Sequence, residues 1–264
     1  MSETLVPRPA ATILTLREGD GGFEVLMLRR NLNSDFVGGA YVFPGGSVDE
    51  RDARSDLQAR VLGLTDEQAS ARLGVVSGGL AYFVAGLREL FEEAGLLIAC
   101  DVHGRAVNLR DPERARRLAR HRDELNAHAG DLLEMLVEEE LVLDLRNIAY
   151  LAHWVTPVGP PRRFDTRFFV TDAPHGQIAA HDQGETVATR WVRPLEALEA
   201  HERGELEMIL PTIKNLEHIA AFDSIGEVIA YANSLSGITR IEPRIVERDG
   251  TQVPVMPGED GYDD

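Results

Sequence analysis

A chain of 264 residues with 44% hydrophobic and 27% charged positions carries enough apolar material for one ordinary core or two small ones. Its formal charge of −17 argues against a nucleic-acid-binding surface, which needs clustered cations, and requires any anionic substrate to meet a local arginine patch or bound metal ions. No apolar stretch approaches the ~20 residues that span a bilayer, residues 1–17 lack a secretory pattern, and Cys100 is the one cysteine, so the expectation is a disulfide-free protein of the cytoplasm.

Residues 10–16 and 23–28 read as antiparallel strands joined by the turn Glu18-Gly19-Asp20-Gly21-Gly22. A third short strand, 40–43, runs into Pro44-Gly45-Gly46. The polar stretch that follows has one helix start, at the cap Thr65 of Thr65-Asp66-Glu67-Gln68. Positions 52–79 therefore read as an insertion, placed outside the core as a cap beside the substrate entrance. An amphipathic helix over 80–94 ends at Gly95, where a left-handed C-cap residue belongs. Residues 111–140 are charged and helical in pattern, with Pro112 at a first helical position and a break at Ala129-Gly130. They form most of a second insertion over 105–145. Strands return at 149–155, 167–170 and 186–192, and helices at 194–202 and 211–234. The order predicts one α/β domain over 1–240 with helical insertions. An extended tail over 241–264, ending Tyr262-Asp263-Asp264, is expected to dock on a second copy in a homodimer.

The informative helix contains Leu87-Arg88-Glu89-Leu90-Phe91-Glu92-Glu93-Ala94-Gly95-Leu96. An advance of about 100° per residue sets Glu89, Glu92 and Glu93 on one stripe, opposite Leu87, Leu90, Phe91 and Ala94. Carboxylates this close repel, and a hard divalent cation with oxygen ligands, Mg²⁺ or Mn²⁺, would reverse the penalty. Arg88, four residues before Glu92, can brace it. Alone, such a stripe is an ordinary solvated helix face, and Pro44-Gly45-Gly46 alone is a turn. Successive glycines after a strand also let the backbone approach a ligand closely and offer a carbonyl oxygen to a metal.

Together the two segments resemble the Nudix hydrolase signature, G-x5-E-x7-R-E-U-x-E-E-x-G-U, with U a bulky aliphatic residue. Arg88, Glu89, Leu90, Glu92, Glu93, Gly95 and Leu96 match its second half; Gly46 fits the first glycine, and Asp52 stands six residues later where the family has Glu. Gly46 and Arg88 lie 42 positions apart where the continuous motif needs 14. Such a split box is similar to that of the peroxisomal coenzyme A diphosphatases and their bacterial relatives, and the segments around Phe36, His153-Trp154-Val155-Thr156-Pro157 and Arg162-Arg163-Phe164-Asp165-Thr166-Arg167 look like that subgroup too.

The resemblance implies a Nudix-type α/β/α sandwich with a mixed sheet, and a Mg²⁺- or Mn²⁺-dependent diphosphatase acting on a small nucleotide-like molecule. Coenzyme A or acyl-CoA is the first expectation; ADP-ribose or NADH is the alternative. A nucleotide-binding regulator without turnover is disfavoured by the intact carboxylates. By resemblance Glu92 and Glu93 are the principal metal ligands, Glu89 a further ligand or the base, the Gly45 carbonyl a nearby ligand, and Glu185 the other candidate base. Arg29, Arg162, Arg163 and Arg167 are the candidate substrate cations, the last three open also to a reading as exposed ion pairs. Arg88, Gly46 and Asp52 support the ligands. Trp154 and His153 read as structural.

Overall fold

Apolar alternation builds the N-terminal hairpin of β1 (Arg8–Gly19) and β2 (Gly22–Arg30), antiparallel from Leu16↔Val25 to Gly19↔Gly22. The computed structural model describes residues 5–33, 37–182, 184–248 and 250–262; Met1, Phe36, Asp263 and Asp264 lie outside the described residues. β3 (Tyr41–Val42) pairs with β2, and β4 (Gly45–Ser47) lies antiparallel to β1. Next come α1 (Ser55–Gln58), β5 (Val61–Leu62), α2 (Asp66–Leu73), α3 (Gly79–Ala94) and β6 (Ala99–Asp101). The charged region supplies α4 (Pro112–Asn126), α5 (Leu132–Glu138) and β7 (Leu141–Asp144). β8 (Ala149–Val155), β9 (Phe164–Asp172) and β10 (Thr186–Val192) follow, then α6 (Pro194–Glu202), α7 (Leu210–Ile219) and α8 (Ile225–Ser234). β11 (Arg240–Ile241), β12 (Arg244–Arg248) and β13 (Thr251–Val255) close the chain.

The main sheet runs β10-β2-β1-β9-β8-β11 and is mixed: β1 pairs parallel with β9 from Arg8↔Phe164 to Leu16↔Asp172 and β8 parallel with β11, while β2 is antiparallel to β1 and β10 and β8 to β9. The two-residue period sorts its side chains into two cores. Ala11, Ile13, Leu26, Leu28 and Phe169 face α3, where the rings of Phe83 and Phe169 stand 4.3 Å apart. Leu14, Leu16, Val25, Met27 and Val170 face α6, α7 and α8. This is the expected α/β/α sandwich.

Three sequence expectations are corrected. The stretch 52–79 is no outer cap: Leu57, Leu64, Ala69 and Leu73 are buried in the α3-side core. Their spacing between polar residues conceals them, and the capping box of Thr65 and Gln68 starts α2 in the register that turns Ala69 and Leu73 inward. The helix expected over 211–234 is two, because Ser224 caps a new start by accepting the Glu227 N–H at 3.3 Å. The tail folds on its own chain: β11 extends the main sheet beside β8, β12 and β13 form a hairpin, Val255 is buried, and Met256 packs against the second core.

Candidate active site

Both ends of α3 are tied down by segments outside the helix itself. At its start the Asp66 carboxylate accepts the N–H groups of Leu80 at 2.9 Å and Gly78 at 3.0 Å, and the Ser70 hydroxyl accepts that of Gly79 at 2.9 Å. Three donors that the helix leaves free are thus satisfied from α2. At its end Gly95 takes the left-handed conformation (φ 70°), and α4 supplies Arg122 and Asn126 to the carbonyls of Glu92 and Glu93. A cation at a helix C-terminus is the favoured sign of charge there.

Arg88 is the hub of the carboxylate stripe. It donates through Nε and Nη2 to the two oxygens of Asp52 (2.9 and 3.0 Å), through Nη2 to the Ser47 carbonyl (2.9 Å), and through Nη1 to Glu89 (2.8 Å) and more loosely to Glu92 (3.4 Å). Burial opposes the charge on Arg88, yet Asp52, Glu89 and Glu92 hold its pKa above the usual guanidinium range. Glu93 is 5% exposed and accepts the Gly45 N–H at 2.9 Å. Burial raises all three carboxylates: Glu89 to about 7, Glu93 well above the usual range with repulsion from Glu89 and Glu185 adding, and Glu92 to a lesser degree against the pull of Arg88. Gly46 lies flat on Glu89, where an added methyl would come 2.5 Å from Oε1, so a side chain at this position must displace the Glu89 carboxylate.

The structure brings Glu89, Glu92, Glu93, Gly45, Gly46, Arg88, Asp52, Glu185 and Arg162 to one cavity of about 1150 Å³. Glu185 is half exposed and paired with Arg30 at 2.7 Å, and its charge reaches both Glu89 and Glu93. Gly45 donates its N–H to Glu93, which ties β4 to the carboxylate stripe. Three of the arginines do not join. Arg29 is exposed and donates to the Gly39 carbonyl (3.2 Å), because the alternation of β2 puts it on the same face as Val25 and Met27. Arg163 is buried, paired with Glu242 and donating to the carbonyls of Leu5 and Thr156. Arg167 is buried too, paired with Asp165 and His153 beneath the Tyr82 ring. Sequence reasoning missed Arg30 and Arg51, which line the cavity. The parity of Leu26, Leu28 and Arg30 could have found the first.

The donors fit a divalent cation. Asp52 already balances Arg88, so the buried, mutually repelling carboxylates leave negative charge that a hard cation with oxygen ligands offsets. Among the described residues no three acidic, imidazole or thiol groups already converge as a finished coordination shell; Arg88 and the Gly45 N–H hold these carboxylates instead.

A carboxylate-bearing helix clamped against a Gly-Gly strand inside an α/β/α sandwich defines a class of hydrolase. A family model described as the NUDT19 Nudix domain matches residues 56–219, more than half of the chain, and the chain therefore belongs to this branch of the Nudix hydrolases. It is similar to the acyl-coenzyme A diphosphatase NUDT19 of Xenopus laevis, 26% identical over 273 residues that cover 91% of this chain and 71% of the relative. The human acyl-coenzyme A diphosphatase NUDT19 is 26% identical over 279 residues, 91% and 72% of the two chains. Among solved structures, a Nudix hydrolase from Alicyclobacillus acidocaldarius superposes with a TM-score of 0.68 at 29% identity, covering 87% of this chain and 97% of that one. Nudix hydrolases generally use divalent metal ions. Among the described residues no helix is long and apolar enough to cross a membrane.

Proposed function

We propose that this chain hydrolyses the diphosphate of coenzyme A or an acyl-CoA, releasing 3′,5′-adenosine bisphosphate and a phosphopantetheine. The observation that carries the reading is the lining and size of the cavity. Its walls combine the carboxylates and the cations Arg30, Arg51 and Arg162 with the apolar side chains of Trp154, Phe168, Leu210 and Pro211. At about 1150 Å³ it exceeds the usual range for small-molecule sites, roughly 300 to 1,000 Å³, and suits a long ligand with a charged middle and an apolar end. The two NUDT19 relatives support the same substrate class.

Glu92 and Glu93 would hold the metal, with Glu89 beside them, and their all-oxygen character favours Mg²⁺ or Mn²⁺. The bound ion supplies charge neutralisation for the diphosphate. Glu185 takes the proton from the attacking water as a new P–O bond forms and the bridging P–O bond breaks; each candidate base is paired with an arginine, but Glu185 is half exposed whereas Glu89 is enclosed beneath Gly46. Arg88 keeps Glu89 and Glu92 in register, and Arg30 steadies Glu185 while presenting positive charge to the substrate. The single buried thiol, Cys100, suits the cytoplasm as the compartment.

A hydrolysis panel of coenzyme A, an acyl-CoA, ADP-ribose and NADH, each with Mg²⁺ or Mn²⁺, tests the reading. The coenzyme A compounds should show the highest kcat/KM with either ion. A higher value for ADP-ribose or NADH would overturn the substrate assignment.

A further inference from the structure

Arg122 sits on α4, far in sequence from the signature, yet its guanidinium touches the centre of the site's scaffold. Nε donates to the Glu92 carbonyl (2.9 Å), and Nη2 to the carbonyls of Glu93 (2.9 Å) and Ala180 (2.7 Å). Glu92 and Glu93 are the last acidic residues of α3, and Ala180 opens the turn that carries Glu185. One planar fork thus spans two segments whose main chains come together here, and the Ala180 N–H donates in return to the Ala94 carbonyl at 2.9 Å. Two residues beyond Ala180, Asp182 binds the main chain at Glu185. The Asp182 carboxylate accepts the N–H groups of Glu185 (2.8 Å) and Thr186 (2.9 Å) and the Thr186 hydroxyl (2.6 Å). Gly95 belongs to the same arrangement, since a methyl there would lie 2.9 Å from Arg122 Nη1. The motif glycine suits its positive φ, and a side chain there would also push on the guanidinium above it.

We infer that Arg122 is a positioning residue that locks the Glu185 turn to the C-terminal end of the metal-binding helix, and so sets where the base stands relative to Glu89 and Glu93. The inference rests on the reading of Glu185 as base. Bridging the two segments takes a fork, because lysine would keep the positive charge at the helix end but, as a single ammonium on a flexible stem, could not hold both.

The test uses Arg122→Met, Arg122→Lys, Glu185→Gln and the Arg122→Met/Glu185→Gln double variant of the full chain. Arg122→Met should lower kcat at saturating metal and substrate by roughly 10- to 100-fold, the scale of loss when a reacting group is displaced by a change away from the chemistry, with KM little changed. Arg122→Lys should melt near the wild-type temperature and still be slow. In the Glu185→Gln background the same Arg122→Met change should cost less than about twofold, since the two residues act as one unit. Amide hydrogen exchange should quicken at Ala180, Glu185 and Thr186 in Arg122→Met while the middle of α3 stays protected. Equal kcat losses in both backgrounds, or a wild-type rate for Arg122→Lys, would overturn the inference. Unchanged exchange at the three amides overturns the lock whatever the rates. A near-normal kcat for Glu185→Gln alone strikes the base assignment instead, and the exchange data then decide the lock.

Discussion

Replacing Asp52 with Ala removes the partner that lets Arg88 stand among three carboxylates without being drawn wholly onto them. Asp52 is 1% exposed and uses both oxygens, receiving Arg88 Nε at 2.9 Å, Arg88 Nη2 at 3.0 Å and the Asp49 N–H at 2.8 Å. Breaking a buried pair from one side costs roughly 3 to 5 kcal/mol. Arg88 keeps Glu89 and the Ser47 carbonyl after the substitution, so the loss should fall at the low end, about 3 kcal/mol. In a chain of this size each kcal/mol moves Tm by about 2–4 °C, giving a drop of about 6–12 °C. Asp52→Asn keeps an oxygen for the Asp49 N–H and one bond to Arg88 while losing the charge, so it should melt between wild type and Asp52→Ala. Freed from Asp52, Arg88 competes harder for Glu89 and Glu92, and more Mg²⁺ should be needed for half-maximal hydrolysis. Circular-dichroism melting without metal, paired with an Mg²⁺ titration of turnover, reads both effects. A Tm for Asp52→Ala within about 2 °C of wild type would refute the reasoning.

Glu92→Gln and Glu93→Gln should each abolish most turnover and leave the fold intact, and Glu93→Gln should raise the metal-free Tm because it removes a buried charge; wild-type rates at saturating Mg²⁺ in both would sink the metal assignment. The pH dependence of metal-free stability follows from the same burial. A carboxylate whose folded pKa is raised contributes stability that is present below its unfolded pKa and lost as pH climbs to the folded value, so Glu89 should make Tm fall between about pH 4.5 and 7. Saturating Mg²⁺ should flatten that slope, and a pH-independent metal-free Tm would contradict it. Exchanging 54–77 for a short Gly/Ser linker should abolish cooperative unfolding, because it deletes Leu57, Leu64 and Leu73, worth roughly 2 to 5 kcal/mol each, from a fold of only about 5–15 kcal/mol net stability. A cooperative melt near the wild-type temperature would restore the view of this stretch as an appendage. Gly46→Ala should impair hydrolysis by pressing on Glu89, and unaltered kcat and metal requirement would argue against the close contact.

The sequence displayed most of this site, because its groups are set by helical spacing and a single turn. Glu89, Glu92 and Glu93 share a face by the period of α3, and Gly95 marks the end of that helix by the one conformation it alone adopts freely. Failures came where a side chain's partner lies far along the chain. Arg163 looked like a substrate clamp until Glu242, 79 positions away, filled its fork. Arg167 looked similar, and two residues of strand alternation sent it beneath the Tyr82 ring with Asp165. The helix caps were hidden for the same reason: nothing around Asp66 or Arg122 announces that it faces the ends of another helix. Arg30 was readable and overlooked, since counting by twos from Leu26 reaches it.

The walls of the cavity come from almost the whole length of the chain, from Ala10 in β1 to Pro254 in β13, and β1 finds its parallel neighbour only when β9 arrives. On a ribosome, chains emerge N-terminus first at about 5–20 residues per second, so the N-terminal hairpin and α3 are exposed for many seconds before β9 exists to pair with β1. During that interval the acidic stripe has no opposing wall and no Glu185 turn. A nascent or truncated chain therefore gathers acidic side chains without an enclosed place for a nucleotide to react, and competence arrives abruptly, late in synthesis, with the closing of the sheet.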